Sequence, residues 1–148
     1  MAIKKIAHCA DIHIRKLHRF VEYREVFGRF YKQLKELKPD LIYIGGDVVV
    51  DRKNIIDKKI SSIAKTIVIP GNHDVNLNNK SREDVLSPII DLIKRINPNI
   101  EYWKQSGIYT IDDIDFGVLS IFDIDKEGVQ QKSTLPKASD LTADTKIA

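Results

Sequence analysis

The stretch of sequence that decides the fold is DLIYIGGD, residues 40–47. Its apolar centre is continuous, which is typical of a strand that a sheet buries on both faces, and two glycines and a carboxylate follow it. Upstream, apolar residues recur every three or four positions over residues 20–38. This spacing predicts an amphipathic helix that ends at Pro39. A strand over residues 3–10 precedes that helix.

The same alternation continues downstream of this stretch. The pattern predicts a shorter helix over about residues 55–64 and a third strand over residues 66–69. A third helix begins with Ser87 as its N-cap, or earlier, because Ser81 and Asp84 are spaced as a capping pair. Three strands that alternate with three helices predict an α/β fold with a parallel sheet, and ligands of such sheets bind beyond the carboxyl ends of the strands.

The pattern changes after the third helix. Residues 101–103, 108–111 and 116–122 are strand-like, and no helical pattern separates them. The turn residues Asp112 and Asp113 predict an antiparallel hairpin between the last two of these segments.

Length and composition describe an ordinary folded protein. The chain has 148 residues, of which 43% are hydrophobic and 30% charged, and its single cysteine excludes a disulfide scaffold. We expect a folded portion over residues 1–125 and a polar tail over residues 126–148 that is exposed or disordered. No apolar run approaches the roughly 18 residues of a membrane span, and no signal peptide precedes the first strand. The expected location is therefore the cytoplasm, with no membrane contact.

Polar residues follow each of the three predicted parallel strands. The segments are DIH at residues 11–13, GGD at residues 45–47 and GNHD at residues 71–74. Because these strand ends share one edge of a sheet, we expect carboxylates, an amide and imidazoles around one crevice. Mixed oxygen and nitrogen donors without thiolate suit manganese, iron or zinc better than calcium. The sequence therefore predicts a divalent-metal site.

Each segment also has an ordinary structural interpretation when it is taken alone. A lone Asp-x-His sequence is close to chance, Gly-Gly-Asp after a strand is a common turn, and Asn-His-Asp after Pro-Gly is compatible with turn chemistry. The order and placement of all three segments at successive strand ends favour the metal site.

In that order, the segments resemble the first three motifs of the calcineurin-like metallophosphoesterases: D-x-H, G-D-x-x-[D/H] and G-N-H-[D/E]. The resemblance covers residues 3–74 and continues to about Phe122. It implies a metallophosphoesterase-like α/β fold, a four-layer α/β/β/α sandwich, here truncated after the first sheet and a β-hairpin. Residues 23–27 (YREVF), 38–40 (KPD) and 106–109 (SGIY) are most similar to the DNA repair exonuclease branch, which includes phage members.

The resemblance also implies a cofactor of two divalent metal ions, with Mn²⁺ expected and iron or zinc as alternatives. The implied metal ligands are Asp11, His13, Asp47 and Asn72. In the implied arrangement Asp11 and His13 bind one ion, Asp47 bridges both ions, and Asn72 binds the other. His73 is implied to face the scissile phosphate, where it stabilises the transition state or protonates the leaving oxygen, and Asp74 is implied to orient it. Two such ions lower the pKa of a bridging water and support in-line displacement.

The sequence departs from the family pattern at two places. Three residues after the bridging aspartate the family usually carries Asp or His, whereas this chain has Val50, with Asp51 one position later. The family also supplies a further histidine and a G-H-x-H pair after its central hairpin, but here no histidine follows His73. We therefore expect the chain to supply about half of the residues that bind the two metals. A truncated chain, a split gene product or an incomplete reading frame would explain this.

Basic residues are concentrated in the first part of the chain. Residues 1–60 contain 14 Lys and Arg against 8 Asp and Glu, whereas residues 111–148 contain 4 against 8. Basic side chains that follow the first and second motifs are candidates for contact with a phosphate backbone, and solvated loops are the alternative interpretation. These candidates are Arg15, Lys16, His18 and Arg52.

The predicted function is that of a metal-dependent phosphodiester hydrolase, a DNA nuclease of the repair or recombination type. DNA is the predicted partner, and the resemblance implies a coiled-coil ATPase subunit as a second partner. A homodimer is also expected. A phage-encoded protein would act in the host cytoplasm. Two alternatives stay open: a phosphatase or small-molecule phosphodiesterase of the same superfamily, and a non-catalytic fragment that binds metal.

Overall fold

The computed structural model describes residues 2–13, 20–48, 58–77, 81, 83–124 and 135–147. The chain forms two compact units, Lys4–Tyr102 and Trp103–Ala148 together with Met1–Ile3, and each unit is described by itself. Within the described ranges, no helix combines the length and the apolar character that crossing a membrane requires.

The first unit is built on a four-stranded sheet with the strand order β1-β2-β3-β4. The strands are β1 (Ile6–Cys9), β2 (Leu41–Ile44), β3 (Lys65–Val68) and β4 (Ile100–Tyr102). The helices between them are α1 (Phe20–Leu37), α2 (Lys58–Ser61) and α3 (Ser87–Ile96). Every neighbouring pair of strands is parallel, so all four carboxyl ends lie at one edge of the sheet. The predicted α/β class with a parallel sheet is confirmed.

The core of this unit lies between the sheet and its helices. Ile42, Val68 and Ile100 of the sheet are fully buried, and they belong to one apolar cluster with Leu34 of α1 and Ile90 of α3. Burial of an aliphatic side chain of this size contributes roughly 1.5–3 kcal/mol. The cluster therefore fixes the sheet that carries the strand ends.

Asp40 aligns β1 with β2. Its carboxylate accepts the backbone N–H groups of Lys4 and Lys5, both at 2.9 Å, and these bonds hold the pKa of the carboxyl below its usual range. The backbone N–H of Asp40 in turn donates to the carbonyl of Lys5 at 3.0 Å. Two strands that are far apart in the sequence thus start at the same level.

One strand and the end of one helix differ from the sequence prediction. The strand predicted near residues 101–103 is β4. It is the fourth parallel strand because α3 returns the chain to the amino ends of the other strands. There the N–H of Thr66 donates to the carbonyl of Asn99 at 2.8 Å. The helix predicted over residues 55–64 ends at Ser61, and residues 51–57 lie outside the described ranges.

The start of α3 also differs, since Ser87 is its first residue and not its N-cap. The carboxylate of Asp84 accepts the backbone N–H groups of Leu86 at 2.8 Å and Ser87 at 2.6 Å, and also the hydroxyl of Ser87 at 2.7 Å. A carboxylate here satisfies N–H groups that a helix leaves unpaired and lies at the positive end of the helix dipole. Asp84 therefore performs the capping role.

The second unit contains a three-stranded sheet with the order β5-β6-β7. The strands are β5 (Gly107–Ile111), β6 (Ile114–Val118) and β7 (Thr145–Ile147). β5 and β6 form the predicted antiparallel hairpin across Asp112 and Asp113, and β7 pairs with β6 in parallel. The ring of Trp103 is buried and stacks on Tyr109 at 4.4 Å between centroids, so Trp103 belongs to the core of this unit.

The end of the chain differs from the expected polar tail. Leu135 and Leu141 are buried, and the carboxylate of Asp115 accepts the backbone N–H groups of Thr142 at 2.7 Å and Ala143 at 2.8 Å. These bonds lower the pKa of Asp115 and attach the segment before β7 to the hairpin. Residues 135–147 are therefore held by the pairing of β7 with β6, by two buried leucines and by the carboxylate of Asp115, which a search for apolar periodicity cannot detect.

The capping role of Asp84 can be tested by substitution. Asp84→Ala leaves the first N–H groups of α3 without their acceptor, so we expect the free energy of unfolding to fall by about 1–2 kcal/mol. Asp91→Ala, which removes an exposed carboxylate from the same helix, is the matched control and should change it by less than about 0.5 kcal/mol. Urea denaturation followed by circular dichroism measures both values. Equal losses in the two variants would contradict the capping role.

Candidate metal centre

The loops after β1 and β2 are joined through their backbones. The N–H of Asp11 donates to the carbonyl of Gly46 at 3.3 Å, and the N–H of His13 donates to the carbonyl of Asp47 at 2.8 Å. These bonds continue the pairing of β1 with β2 beyond the ends of the strands. The first two sequence motifs are thereby brought side by side.

The loops after β2 and β3 approach each other so closely that only glycine fits between them. A Cβ atom added to Gly71 would overlap the backbone and carboxylate of Asp47, and one added to Gly46 would lie 2.6 Å from the Cα of Gly71. The close approach allows the backbone N–H of His73 to donate to Oδ1 of Asp47 at 2.8 Å. The second and third motifs are therefore in direct contact.

Three of the motif residues adopt a left-handed backbone conformation. The φ angles are 52° at Asp11, 45° at His13 and 52° at Asp47. Such values are uncommon for residues with a Cβ atom, they cost of order 1–3 kcal/mol each, and they persist only where the surrounding structure imposes them. Their concentration in two neighbouring loops is typical of a functional site.

Asp74 is the buried residue that joins these loops to α3. Its side chain is 1% exposed, and its carboxylate accepts the backbone N–H groups of Val48 at 3.1 Å and Gly71 at 3.0 Å. Its carbonyl accepts the N–H of Val85, which lies just before α3, at 2.9 Å. Asp74 thus holds the loops at fixed distances, and its implied role of orienting His73 stays a prediction.

The loops bring together His13, Asp47 and His73. Each offers one ligand atom, and these atoms all lie within 4.8 Å of one another. The two imidazole rings meet edge to face, with 5.0 Å between their centroids. Two nitrogen donors and one carboxylate form a donor set that suits a divalent cation of the first transition row.

The distance between the donor atoms of Asp11 and His13 also fits a bound cation. Oδ1 of Asp11 lies 3.6 Å from Nε2 of His13, close to the roughly 3.4 Å that separates two atoms bound to one tetrahedral ion. The Nδ1 atom of His13 is buried and has no hydrogen-bond partner among the described residues. Asp11 itself is 74% exposed and stands outside the three-residue group.

The remaining predicted site residues divide into two sets. Asn72 lies in the exposed turn that directly precedes His73. The residues predicted to contact phosphate fall outside the described ranges. These residues are Arg15, Lys16, His18 and Arg52. Val50 and Asp51 also fall outside the described ranges. The structure also places His73, which the resemblance implies as a group that faces the scissile phosphate, among the three groups that can hold an ion.

Two features near the site were not found in the sequence. A cleft of about 440 Å³ borders His73 and is also lined by Glu83 and Asp84. This volume is within the range of small-ligand sites.

The hydroxyl of Tyr102, at the carboxyl end of β4, is buried. Its pKa is raised above the usual value, chiefly by this burial and also by the nearby negative charges of Asp84 and Asp74. The position of Tyr102 at a fourth strand end was the sequence signal for it.

Comparison with known proteins gives a family and two relatives. The sequence profile of the calcineurin-like phosphoesterases matches residues 4–144. An uncharacterized protein of Acanthamoeba polyphaga mimivirus is 44% identical over 136 residues, which are 83% of this chain and 10% of that protein. The DNA double-strand break repair protein Mre11 of Nanoarchaeum equitans (strain Kin4-M) is 27% identical over 135 residues, which are 80% of this chain and 37% of that protein. The chain thus spans only a minor part of the length of either curated relative.

The close approach of the second and third loops can be tested at Gly71. Gly71→Ala places a methyl group against Asp47, and we expect the free energy of unfolding to fall by about 1–3 kcal/mol. Gly28→Ala is the control, since its Cβ would meet no atom within 4 Å in α1, and it should raise stability by about 0.5–1 kcal/mol. Denaturant titration measures both changes. A neutral Gly71→Ala would show that the loops are not packed as described.

Proposed function

The chain belongs to the calcineurin-like phosphoesterase family, and we propose that it is a metal-dependent phosphodiester hydrolase that acts on DNA. The observation that carries the proposal is the convergence of His13, Asp47 and His73, with their ligand atoms within 4.8 Å of one another, at the carboxyl edge of the sheet. Because three separate loops supply these groups, the convergence requires the fold and is not a local accident of sequence.

The proposed cofactor is a pair of divalent ions, with manganese as the expected metal. Asp11, His13, Asp47 and Asn72 would hold these ions, with Asp47 shared between them. Bound at this place, two ions lower the pKa of water and neutralise charge that develops on a phosphate group. The backbone N–H of His73 on Oδ1 of Asp47 orients that carboxylate towards the site.

His73 is the proposed general acid. Its side chain is exposed, its ring lies beside that of His13, and it borders the cleft. An exposed imidazole at this place can reach a phosphate group of a substrate as long as DNA, and it can donate a proton to the leaving oxygen. Asp74 fixes the loop on which His73 stands, because its carboxylate binds the loop backbone.

Two observations favour DNA over a smaller phosphate ester. One relative is a DNA double-strand break repair protein, and residues 1–60 carry an excess of basic side chains. Arg15, Lys16, His18 and Arg52 are the proposed contacts to the phosphate backbone. Contacts of this kind weaken steeply as the salt concentration rises.

The metal requirement of the reaction can be tested at Asp47. With Mn²⁺ present, we expect the chain to cleave single- or double-stranded DNA, and Asp47→Asn should lower the rate by at least about 100-fold because the shared carboxylate is lost. Asp113→Asn, in the exposed hairpin turn, is the control that keeps the rate. Gel-based cleavage assays with and without EDTA measure the effect, beside a generic aryl phosphodiester.

Each outcome of this assay separates the candidate functions. Hydrolysis of the generic ester without cleavage of DNA would support a phosphatase or small-molecule phosphodiesterase. Retention of Mn²⁺ binding without any hydrolysis would support a non-catalytic metal-binding domain, a reading that the lack of any histidine after His73 favours. Activity that survives in Asp47→Asn would identify a contaminant.

The role of His73 can be separated from that of a ligand. His73→Gln should lower the cleavage rate by about 10²–10⁴-fold, the usual contribution of a general acid, while the affinity for Mn²⁺ changes by less than about threefold. Isothermal titration with Mn²⁺ and single-turnover cleavage measure the two quantities. A large loss of Mn²⁺ affinity would instead assign His73 to the metal, as its position beside His13 and Asp47 permits.

A further inference from the structure

A tyrosine of α1 reaches the backbone of the first motif. The hydroxyl of Tyr23 donates a hydrogen bond to the carbonyl oxygen of His13 at 2.8 Å, in a partly buried position. The ring of Tyr23 stacks on that of Phe27, one helical turn further along, with 6.4 Å between centroids and 27° between planes. The helix therefore holds the ring that presents this hydroxyl.

The hydrogen bond acts on a residue whose backbone conformation is unfavourable. His13 has a φ angle of 45°, and its N–H is already bonded to the carbonyl of Asp47 at 2.8 Å. With the Tyr23 bond, both backbone polar groups of His13 are fixed, one by the β2 loop and the other by α1. Two such anchors determine the direction of the Cα–Cβ bond and compensate for the cost of the left-handed conformation.

Among the described residues, none gives the side chain of His13 the support that a metal-binding histidine usually has. In most metal sites the second ring nitrogen is hydrogen-bonded, and this bond sets the orientation of the imidazole. Here Nδ1 of His13 is buried without a partner among the described residues. The orientation of the ring is thus determined by the backbone and by the edge-to-face contact with His73.

We infer that Tyr23 is a positioning residue for the metal centre, through which α1 sets the placement of His13 and so the affinity for a divalent cation. This inference rests on the proposed function, since it assigns to His13 a bound ion. Tyr23 acts through the backbone of His13 and is not one of the proposed ligands. Its hydroxyl replaces, at the backbone, the support that a hydrogen bond to the imidazole would give.

The test compares two tyrosines that make the same bond at different places. Tyr23→Phe keeps the stacked ring and removes only the hydroxyl. Tyr109→Phe is the matched control, because the hydroxyl of Tyr109 also donates to a backbone carbonyl, that of Gln105, at 2.9 Å. The affinity for Mn²⁺ is measured by isothermal titration, and the thermal unfolding temperature is measured in EDTA.

We expect Tyr23→Phe to raise the Kd for Mn²⁺ by about 10–100-fold, the usual effect of losing a residue that supports a ligand. Tyr109→Phe should leave the Kd unchanged, while both variants lower the metal-free unfolding temperature to a similar small extent. Phe27→Leu, which keeps the hydroxyl and removes its stacking partner, should raise the Kd by a smaller factor. This variant also carries the test if Tyr23→Phe fails to fold.

Three outcomes would overturn the inference. An unchanged Kd in Tyr23→Phe would do so, as would an equal increase in Tyr109→Phe, because the effect would then be one of general stability. An unchanged Kd in Phe27→Leu, where that variant carries the test, would do so too. A wild-type chain that binds no Mn²⁺ would instead contradict the proposed function. The two failures are therefore distinguishable.

Discussion

The contact between the backbone of Gly71 and Asp47 is the constraint on which the site depends. A glycine without a side chain lets the third loop lie directly against the second, and the N–H of His73 then reaches the carboxylate of Asp47. The buried carboxylate of Asp74 closes the same contact from the inside, since it accepts N–H groups from both loops. The donor atoms therefore owe their spacing to backbone packing more than to interactions among themselves.

Much of this arrangement could be predicted from the sequence because it follows from topology. Buried strands with continuous apolar residues, separated by helices, dictate a parallel sheet, and the parallel sheet dictates that Asp47 and His73 share an edge with His13. The family resemblance, which the profile match and the similarity to Mre11 support, was carried by the same residues. The sequence was thus informative wherever local pattern and sheet geometry were sufficient.

The rest depends on contacts that no local pattern describes. The bond from Tyr23 to His13 joins a helix to a loop, and the carboxylate of Asp74 accepts backbone N–H groups from two different loops. The carboxylate of Asp115 in β6 accepts two backbone N–H groups of the segment before β7, a contact that the polar composition of that segment does not indicate. Each of these contacts is a hydrogen bond to backbone atoms, whose partners become known only when the chain is folded.

The loops that present the metal-binding groups, with residues in the left-handed backbone conformation, have a thermodynamic consequence. His13 and Asp47 come from loops that only the paired strands bring together, so the unfolded chain holds no comparable site. An ion that binds the native state alone pulls the folding equilibrium towards it, by about 2.7 kcal/mol when its free concentration is a hundred times its Kd. That amount is comparable to the cost of one or two strained residues. Under the proposed function, the cation would be a folding ligand as well as a cofactor, and removal of metal would lower the stability of the protein.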